Sequence, residues 1–549
     1  MVQKLISKSQ AIFNRKSTSI LSAATIIGAS YLMSALLGLV RNHLLVARFF
    51  GTMAASLDVY FAAFVVPDTI FQLLVVGAVS ASFIPIYQEY FAKSKEQANE
   101  VANAALTLVG LFFLAVSFLI VIFARPIAGL LAHYPPDELD LMANLIRIMS
   151  IGQMLFTISS FLTGVLQSHR RFLIPAIAPL LYNLGTILGI YFLSGRLGIY
   201  SAAVGVVFGA FLHMAIQLPF TGVLGYWPKF IFQPHHPGVR TMIRLMPPRA
   251  LALGLDQIER WVAVNLTSFL AIGSLSIFNF ARQLYVLPIS LFGVSLSQAS
   301  FPALAEDALL EDKTKFKNTL SKSILQIFFF ALPASVLVLV LRIPLVRIAF
   351  GAKSFPWEAT LLTGRSLAFL TIAIAPQAVT NTLTRALYAM KNTKTSLTIG
   401  FITMVVFVAL SYLFTNTIER DVAGITLAMS IGNLLDFFLS YYAVRSMVGS
   451  LHISKKIIKM LIVSVITGVA LWIPLHLLDQ FVFDTTRTLP LIGLTLTVSV
   501  VGFLVYLFFC WLFKIEELQD VTAMINKIGN WRKILGESDE VLESTPDSI

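Results

Sequence analysis

The chain is dominated by long apolar runs, and no other feature constrains its fold as tightly. Segments of about 20 residues, the length that crosses a bilayer as a helix, begin near 19, 57, 101, 141, 172, 199, 244, 275, 321, 359, 395, 421, 456 and 489. The sequence therefore predicts an all-α polytopic membrane protein with about 14 transmembrane helices. A transmembrane barrel is excluded, because its signature is short alternating segments. Composition agrees: 57% of the 549 residues are hydrophobic, 12% are charged, and the mean hydropathy is +0.82. A soluble fold of this length could not bury so much apolar surface.

Charge tests the helix count. With the N-terminus inside, the even-numbered connections carry Lys93 and Lys95; Arg170 and Arg171; Lys229, Arg240 and Arg244; Lys313, Lys315, Lys317 and Lys322; Lys391 and Lys394; and Arg445, Lys455, Lys456 and Lys459. The odd connections hold the acidic run Asp137–Asp140 and the turn Glu419–Asp421. About 21 basic residues fall inside and about 8 outside, the bias expected when an even number of helices places both termini in the cytoplasm. The net charge of +12 is then a property of cytoplasmic loops, and nucleic acid is not an expected partner. Basic residues precede the first apolar run, which is longer than a signal-peptide core and reads as a retained helix. The lone cysteine, Cys510, sits in an apolar run and reads as a small buried hydrophobe.

The chain repeats itself. Ala81–Pro85 and Ala299–Pro302 close the second and eighth predicted helices. Arg125-Pro126 and Arg342-Ile343-Pro344 leave the third and ninth. Arg170-Arg171 and Lys391–Lys394 follow the fourth and tenth. A six-helix unit repeated once gives two lobes of equal orientation, a transporter plan with the substrate site expected between them. The resulting division is a cytoplasmic N-terminus at 1–18, an N-lobe at 19–225, a linker at 226–243, a C-lobe at 244–446, two further helices at 447–514 and a cytoplasmic tail at 515–549. Residues 515–533 suit an amphipathic surface helix, and the acidic remainder suits a disordered tail.

Ionisable residues inside the apolar runs are the functional candidates, since each costs roughly 2.5–3.5 kcal/mol at mid-bilayer. In the first lobe these are Arg41, Arg48, Asp58 and Asp68; in the second, Asp256, Glu259, Arg260 and Arg282; and on the twelfth helix, Asp436. Asp256 and Arg260, four apart, can form an internal salt bridge. Arg48 and Asp58 lie near helix ends, where snorkelling is an alternative to substrate contact. Arg41 and Arg282 have no acidic neighbour at three or four residues. Unpaired arginines facing a cavity suit a phosphate, which the planar guanidinium grips bidentately. Pro288 should kink the helix of Arg282. Asp436 and Glu259 are the candidates for carrying a coupling ion, with a bond to a neighbouring helix as the alternative for Asp436. No G-x-x-x-x-G-K-[ST] loop and no nucleophile–base constellation occurs, so neither ATP hydrolysis nor another enzymatic reaction is expected. No cofactor or metal is expected beyond a coupling cation or the membrane potential, and His235-His236 reads as a solvated loop.

Four phrases carry a family resemblance: LLGLVRNHLLVARFFGTMAASLDVYFAAFVVPD, GVLQSHRRFLIPAIAPLLYN, FARQLYVLPISLFGVSLSQASFPALAE and IPLVRIAFGAKSF. The most specific run is Arg171-Phe172-x-x-Pro175-x-x-x-Pro179-x-x-x-Asn183. Over roughly residues 20–510 the chain resembles the MurJ/MviN-type lipid II flippases of the MOP (multidrug/oligosaccharidyl-lipid/polysaccharide) exporter superfamily. The resemblance implies a monomer in the bacterial inner membrane that moves an undecaprenyl-pyrophosphate-linked peptidoglycan precursor to the outer leaflet. It places the cavity arginines on Arg41 and Arg282 and a portal aspartate on Asp58. Other family charges fall on Asn42, Ala35, Phe71, Val76, Ala281 and Tyr285, while helix seven carries Arg249, Asp256, Glu259 and Arg260 where the family pattern is mostly apolar and small polar. Two other functions fit the same chain: an ion-coupled exporter of drugs or other lipid-linked polysaccharides, and a non-transporting scaffold that recruits cell-wall enzymes through its tail.

Overall fold

The computed structural model describes residues 20–76, 82–417 and 421–519, and within them the side chains of all but 20–29, 31, 247–249, 251, 252 and 256. The predicted N-terminal segment 1–18 lies outside the described residues, as does the tail from 520 on with most of the predicted amphipathic helix. Every regular element among the described residues is helical. In chain order these are α1 (Ile20–Leu45), α2 (Gly51–Phe71), α3 (Ile84–Phe91), α4 (Lys95–Ile122), α5 (Ala124–Leu131), α6 (Pro136–Ser168), α7 (Leu173–Leu197), α8 (Tyr200–Ala215), α9 (Leu218–Val223), α10 (Pro237–Thr267), α11 (Ser274–Pro288), α12 (Ser295–Asp307), α13 (Thr314–Val340), α14 (Arg342–Phe350), α15 (Trp357–Ala389), α16 (Thr393–Thr417), α17 (Val422–Val448), α18 (Ser454–Phe481) and α19 (Thr488–Leu512).

Twelve stretches among the described residues are helical, long and apolar enough to cross a membrane. The expected fourteen differ from these at two places. Helices one and two run together in the single apolar stretch Leu32–Val76. A π turn at Val46–Phe50 joins them, and the chain bends at Met53, whose φ of −132° and ψ of 33° are not helical. Helix seven, α10, is 31 residues long but too charged to count as apolar. It starts at Pro237, ahead of the expected start near 244. Proline suits a first turn because its missing N–H has no helical partner there, and His236 accepts the free N–H of Gly238 at 3.2 Å.

The repeat seen in the sequence recurs in the helices. The order α4, α5, α6, α7 is a long helix, a short one and two long ones, and α13, α14, α15, α16 follows it in the same order about 220 residues on. A π turn at Gln72–Val76 after α2 is matched by one at Ile289–Val294 after α11, immediately past Pro288, where the sequence predicted a kink.

Contacts divide the chain into two compact units. The first comprises residues to Leu287 with Leu345–Ala373 and Thr393–Leu439; the second comprises Pro288–Pro344, Ile374–Asn392 and Ser440 onward. In the first unit α7 and α8 cross at glycines. A Cβ on Gly185 would stand 2.5 Å from the Gly209 Cα, and one on Gly189 would stand 2.4 Å from the Gly205 Cα. Both helices carry the G-x-x-x-G spacing that lets backbones meet in a bilayer, where packing and not the hydrophobic effect drives association. In the second unit α13 packs against α18 and α19, and the buried Tyr506 hydroxyl donates to the Phe329 carbonyl at 2.8 Å. Many buried hydroxyls bond within their own helices. Ser150, Thr157, Thr186, Ser464 and Thr467 each donate to the carbonyl four residues back, as groups without water must. Large apolar side chains such as Phe118, Phe192, Trp472 and Leu496 face outward.

Within the first unit, the link from α9 to α10 is pinned along α4. Asn99 donates to the Gly225 carbonyl at 2.9 Å, Asn103 accepts the Lys229 N–H at 2.9 Å, and Thr107 accepts the Ile231 N–H at 3.0 Å. These three residues are spaced by four and share one face of α4. The link thus runs extended with its backbone satisfied, leaving Phe230 and Phe232 exposed.

Candidate functional site

Five charges of the first unit, Arg41, Asp68, Glu259, Arg260 and Arg282, form a belt across α1, α2, α10 and α11 with amides of α1, α7 and α11. Arg41, about six turns into α1, donates from Nη1 to Asn183 Oδ1 of α7 at 3.2 Å and from Nε to Asn42 Oδ1 at 3.2 Å. Asn183 is in turn fixed by donating to Ser34 Oγ at 3.1 Å. Asn42 is buried and hydrogen-bonds Gln283 of α11. One residue back from Gln283, Arg282 Nε faces Glu259 Oε1 of α10 at 3.9 Å, an ion contact too long for a hydrogen bond. One residue on from Glu259, Arg260 Nη1 donates to Asp68 Oδ2 of α2 at 2.7 Å. Gln72, one turn past Asp68, bonds the same carboxylate.

A helix face explains the α2–α10 half of the belt. Arg260 and Trp261 follow Gln257 by three and four residues, so all three side chains meet α2. Trp261 Nε1 donates to Thr69 Oγ1 at 2.9 Å, and Thr69 passes its own proton to the Val65 carbonyl at 2.7 Å. The charged side chains are neither sealed nor in bulk solvent: 34% of the Arg260 side chain, 29% of Arg282, 26% of Glu259 and 10% of Asp68 are exposed. Three of their atoms, Arg260 Nε, Arg282 Nε and Glu259 Oε1, are buried without a hydrogen-bond partner among the described residues.

The other sequence candidates lie apart from the belt. Asp58 is buried and serves the start of α11, accepting from Gly273 N at 2.7 Å, Ser276 N at 2.8 Å and Ser276 Oγ at 2.6 Å. Arg48 is exposed, with its guanidinium 5.9 Å from the centre of the Tyr191 ring. Asp436 is half-buried on α17, one turn past Asn433, which donates to the Tyr285 hydroxyl at 2.9 Å. The Asp256 side chain lies outside the described residues, so the internal Asp256–Arg260 bridge is not described, whereas Arg260 is bonded to Asp68. No group of three or more histidines, cysteines or carboxylates placed to hold a metal occurs among the described residues.

Sequence reasoning singled out Asp68 as an intramembrane charge without giving it a partner or role, and left Asn42, Asn183, Gln72 and Gln283 out of the site. Asp68 was visible as a carboxylate directly after Pro67 in an apolar run, and Asn183 as the last residue of the most specific family run. The amides carry no such signal.

A many-helix membrane bundle with a charged belt inside it is the layout of a transporter, and solved structures of the MOP superfamily share this fold. The chain matches "Lipid II flippase MurJ, inward closed conformation" with a TM-score of 0.74 and 24% identity, covering 89% of this chain and 98% of that one. It matches an inward-facing multidrug resistance MATE family transporter of the MOP superfamily with a TM-score of 0.64 and 16% identity, covering 78% and 99%. The sequence profile of the lipid II flippase MurJ family matches residues 46–495, and the chain belongs to that family. Its relatives include a probable lipid II flippase MurJ of Thermotoga maritima, 28% identical over 489 residues (89% of this chain, 95% of the relative). A lipid II flippase MurJ of Burkholderia cenocepacia is 27% identical over 427 residues (75% and 81%). The chain is thus a multi-pass membrane transporter and not an enzyme.

Proposed function

We propose that this chain is a flippase that moves lipid II from the inner to the outer leaflet of the bacterial cytoplasmic membrane, with Arg41, Arg260 and Arg282 holding the pyrophosphate. One observation carries the reading: Arg41 is anchored by two neutral amides, Asn42 and Asn183, with no carboxylate partner among the described residues. Its charge is positioned but not neutralised, as an anion-binding cation should be. The names of the relatives support the substrate.

The sugar and peptide would cross in a water-filled cavity while the lipid tail stays in the bilayer. Movement would be alternating access, with the two six-helix halves rocking about the bound headgroup and both termini cytoplasmic. The chain would work as a monomer. Counting Arg41, Arg260 and Arg282 against Asp68 and Glu259, the described belt has one excess positive charge. Membrane potential acts on such a charge with about 2.3 kcal/mol per 100 mV and would be the driver.

The test is rescue of a cell depleted of its own lipid II flippase. Arg41→Ala and Arg282→Ala should each abolish rescue at wild-type membrane levels, and normal rescue by both would overturn the assignment. An ion-coupled exporter is the second reading, favoured by the likeness to MATE transporters and by the half-buried Asp436 and Glu259. Transport that follows an ion gradient and ignores membrane potential would select it.

A further inference from the structure

We infer that Asp68 and Glu259 are built-in competitors for the substrate diphosphate: they hold Arg260 and Arg282 until the anion displaces them. This rests on the flippase reading and adds to it a role for two carboxylates and for helix α10. The inference starts from three buried atoms without hydrogen bonds. Arg260 Nε and Arg282 Nε are donors, Glu259 Oε1 is an acceptor, and each lacks a partner among the described residues. Buried polar atoms are almost always paired, so the two unpaired arginine donors mark a place where an acceptor arrives, and Glu259 Oε1, facing Arg282 Nε at 3.9 Å, is the group that acceptor would replace.

Charge and shape decide what that partner is. A guanidinium has five donors in a planar fork. Asp68 occupies one nitrogen of Arg260, and Glu259 approaches Arg282 only to 3.9 Å. Both guanidinium groups thus keep donors for an anion with several oxygens. Arg282 also acts, weakly, on the Asp68 carboxylate, so the charges of both guanidinium groups bear on one anion. A diphosphate offers more oxygens and more charge than a single carboxylate, and it can engage both arginines together. The exposure of a third of Arg260 leaves it reachable.

Displacement has a mechanical consequence. The Asp68–Arg260 pair ties α2 to α10, and the Glu259–Arg282 contact ties α10 to α11. Seating the anion removes both ties at once and leaves only neutral bonds described between α2 and α10, from Trp261 to Thr69 and from Thr69 to Gln257. Substrate is then a ligand with differential affinity for a loosened α10, which is what a ligand must be to drive a conformational change.

The exchange predicts an inverted mutational effect. Farnesyl diphosphate binding should be measured by calorimetry on the full chain in nanodiscs, with inorganic pyrophosphate in parallel. Arg41→Ala should weaken binding. Asp68→Asn and Glu259→Gln should each tighten it, on the order of fivefold or more, while slowing flipping, because each removes the competitor and its tie together. The two variants sit on different helices, so a folding failure in one leaves the other decisive. If Arg41→Ala weakens binding and neither carboxylate variant tightens it, the exchange is wrong and the flippase reading stands. If the wild-type chain binds neither diphosphate, both fail.

Discussion

Asp58 and Ser276, 218 residues apart in sequence, are joined twice: one carboxylate oxygen of Asp58 accepts both the backbone N–H and the hydroxyl of Ser276. The other oxygen accepts the Gly273 N–H, whose residue has φ +92° and where an added Cβ would stand 3.1 Å from the Phe50 ring. A carboxylate on α2 therefore caps α11, supplying the free N–H groups of its first turn and meeting the positive end of its dipole. Asp58→Ala strands these donors and should cost about 1–3 kcal/mol. Ser276→Ala, which keeps the N–H bond, should cost about 1 kcal/mol. Thermal unfolding in detergent reads both. Diphosphate affinity should move little in either, since Asp58 lies apart from the belt; a large loss would return Asp58 to the substrate site.

The α7–α8 crossing gives a second prediction. A Cβ on Gly209 would stand 2.4 Å from the Tyr182 carbonyl oxygen, and backbone cannot move aside as a side chain can. Gly209→Ala should destabilise by about 1–3 kcal/mol through overpacking. Gly110 on α4 has nothing within 4 Å of the same added atom. Gly110→Ala should therefore be neutral or slightly stabilising, as alanine is the better helix former by about 1 kcal/mol. Equal melting temperatures for the two variants would refute the close crossing.

How far the sequence could be read differs between fold and site. Apolar length alone located the helices, because a segment in lipid must satisfy its backbone internally. The same logic understates α10: Arg240, Arg244, Glu259 and Arg260 lower its hydropathy, and its start is set by Pro237 and His236. The G-x-x-x-G pairs were present as Gly185–Gly189 and Gly205–Gly209, a packing signal that hydropathy does not register. In the site, Arg41 and Arg282 stood out because local spacing gave them no partner. Arg260 drew attention to Asp256 for the converse reason, a candidate partner four residues away. Its bonded partner Asp68 is 192 residues distant, and only packing of α2 on α10 brings the two together.

The C-terminus separates a flippase from a scaffold. In the second unit Lys456 Nζ on α18 meets Glu516 Oε2 at 2.5 Å, and Ile515 and Glu517 are buried. That pairing holds the exposed Glu516 carboxyl below its ordinary range, through the hydrogen bond and then the charge of Lys456. Truncation after residue 519 leaves these contacts intact and should preserve rescue of flippase-depleted cells. Truncation after residue 514 removes them and should lower the melting temperature. Loss of rescue on removing 520–549 alone, at normal membrane levels, would favour recruitment of other enzymes through the tail.

The Asp68–Arg260 bond should also be measurable as a coupling energy. Its 2.7 Å separation and the burial of Asp68 argue for a strong pair, while the exposure of a third of Arg260 lets solvent screen it. Between the surface median of at most about 1 kcal/mol and the roughly 3–5 kcal/mol lost on breaking a fully buried pair, a coupling of about 1–2 kcal/mol is expected. A double-mutant cycle of Asp68→Asn and Arg260→Gln, read by chemical or thermal unfolding, isolates it, since each replacement removes the charge and keeps a polar side chain, and the cycle cancels the cost of the shorter glutamine. Arg260→Gln alone should be the more damaging single change, because it leaves a carboxylate in a largely buried place. Asp68→Asn leaves a cation that is one-third exposed. A coupling indistinguishable from zero would mean that Arg260 and Asp68 do not tie α2 to α10, and the adjoining Trp261–Thr69 bond would then be the link to dissect.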